Sequence, residues 1–276
     1  MRLDLDDRAK RGAAVAVLVV LLSLSLAPMM MMVLLSLKTN ADIFTSFWGW
    51  PSAPKYSHYG RAVRALWPYL LNTTIILVIV VPGVVWLSSL SGYALSRLRF
   101  PGRDWMFGAV LALLVIPGIL TLIPTYALVQ RLGLIDTRWA LILPYLAGGQ
   151  ILGIVLTRTF IGGLPDELFE AMRLDGADDL GIYRHLALPL TVPTLVTVAI
   201  MTTLSIYNDY IWPLVAISDS ALQTFTVGVT RFSGEFNMEY GPTLAGYVIG
   251  SLPLVLLFML GMRAFVRGVT SGALRA

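Results

Sequence analysis

The sequence contains no cysteine and only two histidines, His58 and His185, far apart along 276 residues. Disulfides and thiolate metal sites are excluded, and two distant imidazoles argue against a zinc centre. Charge is also scarce. Asp, Glu, Lys and Arg make up 13% of the chain, against about 25% in an ordinary soluble domain. No G-x-x-x-x-G-K-[ST] run occurs, so the chain supplies no phosphate-binding loop of its own. An intramembrane enzyme would need paired aspartates, an H-E-x-x-H run or a serine–histidine pair within an apolar stretch. Neither histidine lies in one, and Asp209 is the lone acid near one. The net charge of +4 gives no reason to invoke nucleic acid.

What is abundant is apolar. Hydrophobic residues are 57% of the chain, and mean hydropathy is +0.77. Burial on folding saturates at about 75% of the unfolded surface in soluble proteins, too little to hide this composition. The solvent for much of the chain is therefore lipid. At about 20 apolar residues per crossing, the length allows five to seven helices and modest loops. Six stretches are predicted to cross: about Ala13–Leu37, Tyr69–Leu95, Trp105–Leu128, Trp139–Phe160, Leu188–Trp212 and Leu244–Phe265. The fold class expected is an all-α integral membrane protein with six transmembrane helices. Prolines inside the stretches, such as Pro82, Pro117 and Pro124, are tolerable where neighbouring helices satisfy the freed carbonyls. The first stretch exceeds a signal-peptide core of 7–15 residues and lacks a small-x-small site at Lys38–Asn40, so it reads as a retained helix.

Basic residues set the orientation. With the N-terminus inside, thirteen of the twenty fall on the cytoplasmic side, among them Arg97, Arg99, Arg103, Arg158, Arg173 and Arg184, and seven fall outside. Both termini are expected to be cytoplasmic. Trp48, Trp50, Trp67, Trp105, Trp139 and Trp212 lie near helix ends, as an aromatic belt requires. The organisation expected is a cytoplasmic arm over 1–12, a first helix over 13–37 and an external loop over 38–68. A core follows over 69–266, with a cytoplasmic loop over 162–187, and then a cytoplasmic tail over 267–276. The external loop is rich in aromatics and proline (Phe44, Phe47, Trp48, Trp50, Pro51, Pro54), which suits either membrane anchoring or contact with an external partner.

The loop between the fourth and fifth stretches stands apart. It holds six of the sixteen acids: Asp166, Glu167, Glu170, Asp175, Asp178 and Asp179. Pro165 suits the start of a helix, and Asp166 and Glu167 favour its positive end. Leu168, Ala171, Met172 and Leu174 supply apolar positions. Gly176 is a natural stop, and Asp178 can cap a second short helix toward His185. An acidic amphipathic helix is ill suited to anionic lipid. Physics alone leaves self-packing and docking into a partner groove both open.

The run Glu170-Ala171-Met172-Arg173-Leu174-Asp175-Gly176-Ala177, followed by Leu188-Pro189, resembles the EAA loop of ABC importer permeases. Met172 stands where that pattern has its second alanine, a change expected to be tolerated in the docking surface. Phe100-Pro101-Gly102-Arg103, Ile116-Pro117-Gly118, Leu122-Ile123-Pro124, Asn208-Asp209-Tyr210-Ile211-Trp212-Pro213 and the run from Phe265 to Ala273 are similar to the carbohydrate subgroup, specifically the second membrane subunit of maltose-type systems. The resemblance implies a type I importer permease fold with a cytoplasmic coupling helix, in the cytoplasmic (inner) membrane of a prokaryote. It implies two permeases, this one paired with a different chain, two ATPase subunits and an external solute-binding protein. It also implies that ATP and magnesium are held by the ATPases and no cofactor by this chain.

By that resemblance Glu170, Ala171, Met172, Asp175, Gly176, Ala177, Leu188 and Pro189 form the ATPase-coupling element. The plain alternative for Glu170 is an intrahelical pair with Arg173. Intramembrane polar residues face the bundle interior or a water-filled cavity, so Asn72, Thr121, Tyr126, Gln150, Tyr207, Asn208 and Asp209 are candidates for the translocation path. Tyr126, Tyr207, Asn208 and Asp209 are singled out, each also explicable as an interhelical contact. The tail from Arg267 either reaches the ATPases or frays. Cargo is expected to be a sugar or oligosaccharide. A polyol or glycerol-phosphate-type solute, or an ATPase-independent secondary transporter, remains as an alternative.

Overall fold

The computed structural model describes residues 2–235 and 239–273. Among these residues every regular element is helical. They run α1 (Arg2–Ser36), α2 (Asn40–Thr45), α3 (Ser57–Arg97), α4 (Arg103–Val115), α5 (Leu122–Arg131), α6 (Trp139–Gly162), α7 (Asp166–Leu174), α8 (Asp179–Ile182), α9 (Leu188–Asn208), α10 (Ile211–Ala216), α11 (Phe225–Glu235) and α12 (Tyr240–Ala273). A π-helical turn, Tyr183–Ala187, joins α8 to α9. Of the expected tail, residues 267–273 belong to α12, and residues 274–276 lie outside the described residues.

Five helical segments are long and apolar enough to cross a membrane, and a sixth crossing results if one bent pair counts as a single span. That pair is α4 and the segment Gly118–Arg131, bent by 98°. The expected straight crossing over 105–128 is therefore broken. Pro117 has no N–H to donate and pushes Ile116 into an extended conformation, ψ 116°. The chain restarts as a 3₁₀ turn over Gly118–Thr121. Elsewhere Pro28, Pro68, Pro82, Pro144, Pro193 and Pro253 sit inside helices without ending them.

The chain divides into two compact units, one of residues up to Leu66 with Val229–Leu252, the other of Trp67–Gly228 with the chain from Pro253 onward. In the first, α1 carries an apolar run, Arg11–Ser36, of 26 residues. Its leucines and valines between Val15 and Val33 are exposed. A helix apolar all round is one made for a non-aqueous surround.

The stretch expected as a loop over 38–68 is ordered and partly helical. Thr39 caps α2 by accepting from the Asp42 amide at 3.2 Å. Lys38 is wholly buried, and its Nζ donates to the carbonyls of Ser46 at 2.6 Å and Phe47 at 3.0 Å. A cation at the carbonyl end of a helix is favoured by the helix dipole. Ser52 at 2.8 Å and Thr39 at 3.0 Å donate to the Asp42 carboxylate. Those two bonds, Ser52's first, hold the Asp42 carboxyl below its ordinary value. The third helix then begins at Ser57, twelve residues before the expected start of its crossing.

In the second unit α3, α6 and α9 form the core, around Ile76, Val80, Val84, Leu141, Ile142, Val198 and Ile206, with Trp212 of α10 donating its indole N–H to the Ala140 carbonyl at 3.1 Å. Gly153 of α6 lets the helices close. A Cβ there would run into the Ser88 side chain and stand 3.2 Å from Val198 Cγ1. Small residues at such contacts let membrane helices approach closely.

Candidate functional site

The acidic loop folds as its local sequence dictates. Pro165 precedes α7, whose first turn carries Asp166 and Glu167 and whose last carries Arg173, each matched to the dipole. Gly176 takes φ +85°, a left-handed conformation that a β-carbon resists. Asp178 Oδ1 accepts from the Gly181 amide at 2.8 Å and caps α8.

The loop has two faces. Phe169, Ile182, Tyr183 and Ala187 are buried in a cluster with Tyr93 and Ile161, and Met172, Ala177 and Leu188 pack against it half-buried. One residue of α3 holds much of this seat. Arg97, whose side chain is 12% exposed, donates to the Ile161 carbonyl at 2.7 Å and to the Leu164 carbonyl at 2.6 Å. It also forms an ion pair with Asp166, and its guanidinium lies 3.9 Å from the Phe169 ring centroid. Above it, Tyr93 donates to the Asp179 carbonyl at 3.0 Å, and the Tyr183 hydroxyl donates to Ser89 at 3.0 Å. The Tyr93 and Tyr183 rings meet at 5.4 Å.

The opposite face is open. Glu167, Glu170, Ala171 and Leu174 fall at helical spacing on one side of α7, and all are exposed. Leu174 is 89% exposed and Leu180, on α8, 65%. Arg173 pairs with Asp179 at 3.8 Å rather than with Glu170. Among the described residues Glu170 has no hydrogen bond or ion pair. Met172 points the other way, into the internal cluster. Met172, expected as a tolerated change in the docking surface, packs half-buried against the seat beneath the helix. Asp175 and Gly176 are exposed at the turn, and Pro189 is exposed at the start of α9.

The four residues singled out for the path have separate environments. Tyr126 of α5 is half-buried against the α3–α6–α9 core. Tyr207 is buried and stacks on Phe225 at 5.5 Å. Asn208 is exposed and donates to the Leu204 carbonyl at 2.9 Å. Asp209 accepts from the Tyr145 hydroxyl at 2.9 Å and from the Trp212 amide at 3.3 Å, which ties α6 to α10. A cleft of about 230 Å³ lies between α6 and α9, lined by Tyr145, Gly148, Met201, Thr202 and Ser205 among others. A second, of about 590 Å³, lies beside the α4–α5 bend and is mostly apolar. None of the four singled-out residues lines either cleft, whereas Tyr145 lines both. Tyr145, Tyr93 and Arg97 were not distinguished in the sequence. Arg97 counted there only as an inner-side charge, and the carbonyls it meets lie more than sixty residues on.

The same architecture occurs in a solved chain of a bacterial ABC transporter that imports the acidic polysaccharide alginate, with a TM-score of 0.79 over 94% of this chain and 98% of that one at 21% identity. Among curated relatives, the arabinooligosaccharide transport permease AraQ of Halalkalibacterium halodurans is 33% identical over 76% of this chain and 74% of its own length. The sn-glycerol-3-phosphate transport permease UgpE of Pectobacterium atrosepticum is 33% identical over 72% of this chain and 71% of its own. The family model for binding-protein-dependent transport system inner membrane components matches residues 69–271, the loop built on Arg97 included. The chain therefore belongs to that family: it is a multi-pass inner-membrane permease component of a binding-protein-dependent transport system.

Proposed function

We propose that this permease imports a sugar or oligosaccharide. It works in a complex with a second permease of different sequence, two ATPase subunits and an external solute-binding protein. It spans the membrane six times, the bent α4–α5 pair counting once, with both termini in the cytoplasm. This chain binds no cofactor, and ATP and magnesium are held by the ATPases. The arabinooligosaccharide relative supports the cargo class. The glycerol-phosphate relative supports a second reading, the same machinery carrying a polyol or glycerol-phosphate-type solute.

The observation that carries the mechanism is the two-faced α7. Its inner face is locked to α3 by Arg97, with Tyr93 holding the start of α8, and its outer face offers Glu170, Ala171 and Leu174 with no partner for the carboxylate among the described residues. A groove on the ATPase receives that outer face, with a basic residue meeting Glu170. Asp175, Gly176 and Ala177 form the turn that lets the chain leave the groove, and Leu188 and Pro189 begin the crossing that follows. When the ATPases close on ATP they displace α7. The seat on Arg97 carries that displacement into α3 and α6, which changes the side on which the path is open. The path runs beside Tyr126, Tyr207, Asn208 and Asp209.

The test is ATPase activity stimulated by the binding protein in the reconstituted complex. Glu170→Ala, or Gly176→Leu, which strains a left-handed position by about 1–2 kcal/mol, should insert normally and lose stimulation. Normal stimulation in both variants refutes the coupling role. Uptake of labelled oligosaccharide against labelled glycerol phosphate by the intact system separates the two cargo readings.

A further inference from the structure

The Phe100-Pro101-Gly102-Arg103 run plays no part in the coupling loop, yet it shapes a separate feature. It turns the chain from α3 into α4, at the end of the second unit that also carries α7. Arg99, Phe100, Gly102, Arg103, Asp104 and Trp105 line a polar cleft of about 400 Å³ there. Two guanidiniums meet a single carboxylate, and a third, that of Arg99, lines the same cleft. Arg103 Nε lies 3.1 Å and Arg158 Nη2 3.8 Å from Asp104 Oδ1. Arg99 is exposed and, among the described residues, makes no hydrogen bond or ion pair. The cluster is left with a net excess of two positive charges. Gly102 takes φ +85°, with open space where a β-carbon would stand, and no side chain caps the first turn of α4.

This chemistry selects an anion, and the surroundings select its kind. Trp105 is 78% exposed at the rim of the cleft. Met106, Leu111, Leu113, Leu114 and Val115 continue outward along α4 as exposed apolar surface, and no residue of that helix is buried. Tryptophan favours the headgroup depth of a bilayer. Basic pockets at the ends of membrane helices suit anionic headgroups. A soluble anion would use the charge and leave the adjoining apolar face idle. We propose that this cleft binds the phosphate of an anionic phospholipid whose acyl chains lie along α4. The acids of α7 and α8 repel such a lipid, so the two features divide the same end of the unit between lipid and protein.

Native mass spectrometry of the full-length protein in mild detergent, with added phosphatidylglycerol or phosphatidylcholine, tests this. Arg99→Gln should lower retained phosphatidylglycerol about fivefold, the equivalent of the roughly 1 kcal/mol a basic residue contributes at an anionic surface. Phosphatidylcholine should be unaffected. Arg99 makes no hydrogen bond or ion pair among the described residues, so its loss leaves folding intact. Arg184→Gln, which removes an exposed charge outside the cleft, should leave both lipids unchanged. Equal retention of phosphatidylglycerol by wild type and Arg99→Gln overturns the proposal. So does displacement of the lipid by millimolar inorganic phosphate, which would reassign the cleft to a free anion. Loss of the ATPase subunits in Arg99→Gln with lipid retention unchanged would assign it to a protein contact instead.

Discussion

Replacing Arg97 by alanine should loosen α7 while leaving the membrane helices folded. The side chain joins three pieces of chain: the end of α3, the carbonyls of Ile161 and Leu164, and the first turn of α7. Hydrogen bonds from a charged donor contribute about 1.5–3 kcal/mol each. The contact with the Phe169 ring adds about 0.5–2 kcal/mol. The ion pair to Asp166, whose side chain is 79% exposed, adds at most about 1 kcal/mol after solvent screening. These contributions share one guanidinium and do not add in full, so about 3 kcal/mol is expected for the local seat. That corresponds to local opening on the order of 100-fold more frequent. Hydrogen exchange of the α7 amides in the purified full-length chain measures it directly. Arg97→Lys should recover only part of the protection, because an ammonium cannot fork to two carbonyls and lie flat on a ring. Unchanged exchange in Arg97→Ala would refute the seat.

Gly153→Ala should lower the thermal stability of the purified chain by about 1–3 kcal/mol through overpacking, because its β-carbon meets Ser88 and Val198. Gly148→Ala on the same helix has open space and should be neutral, and equal effects would refute the packing argument. The Asp42 carboxyl titrates below its ordinary value of 3.8. A depressed native value contributes stability that is present above the ordinary value and lost as pH falls through the native one. Fluorescence of the nearby Trp48 and Trp50 should therefore report loosening of the segment around α2 at a higher pH in Ser52→Ala than in wild type. Coincident midpoints would refute it.

How legible all this was depended on range. The beginning of α7 at Pro165, its stop at Gly176 and the Asp178 cap are decided within a few residues, and the sequence carries their chemistry openly. The same is true of the apolar crossings. Arg97 was visible only as a charge, because its partners come from α6 and the loop after it. The packing of Met172 against the internal cluster was not legible either, since its motif position says nothing about which side of the helix meets the protein. Six prolines inside helices and one at a break have similar local sequences. Pro82 and Pro117 are each followed by a glycine, yet only Pro117 ends its helix, so the local sequence does not separate the two. The helix α11 has a mixed composition and gave no periodic signal strong enough to stand out. The residues of the path remained the least legible, because hydroxyls and amides in a membrane helix satisfy the nearest carbonyl as readily as a passing solute.

The break beside Pro117 also limits how the chain can be turned about the bilayer normal. The last turn of α4 loses its amide donors where Pro117 has none to give, and Ile116 bonds back only to Leu113. A carbonyl left bare in hydrocarbon costs several kcal/mol. The straight helices can present any flank to acyl chains, but this elbow cannot. Its bare carbonyls must be rotated toward water or toward another polypeptide while the apolar side chains of α4 keep the lipid, so a single proline–glycine pair sets the azimuth of the second unit in its membrane.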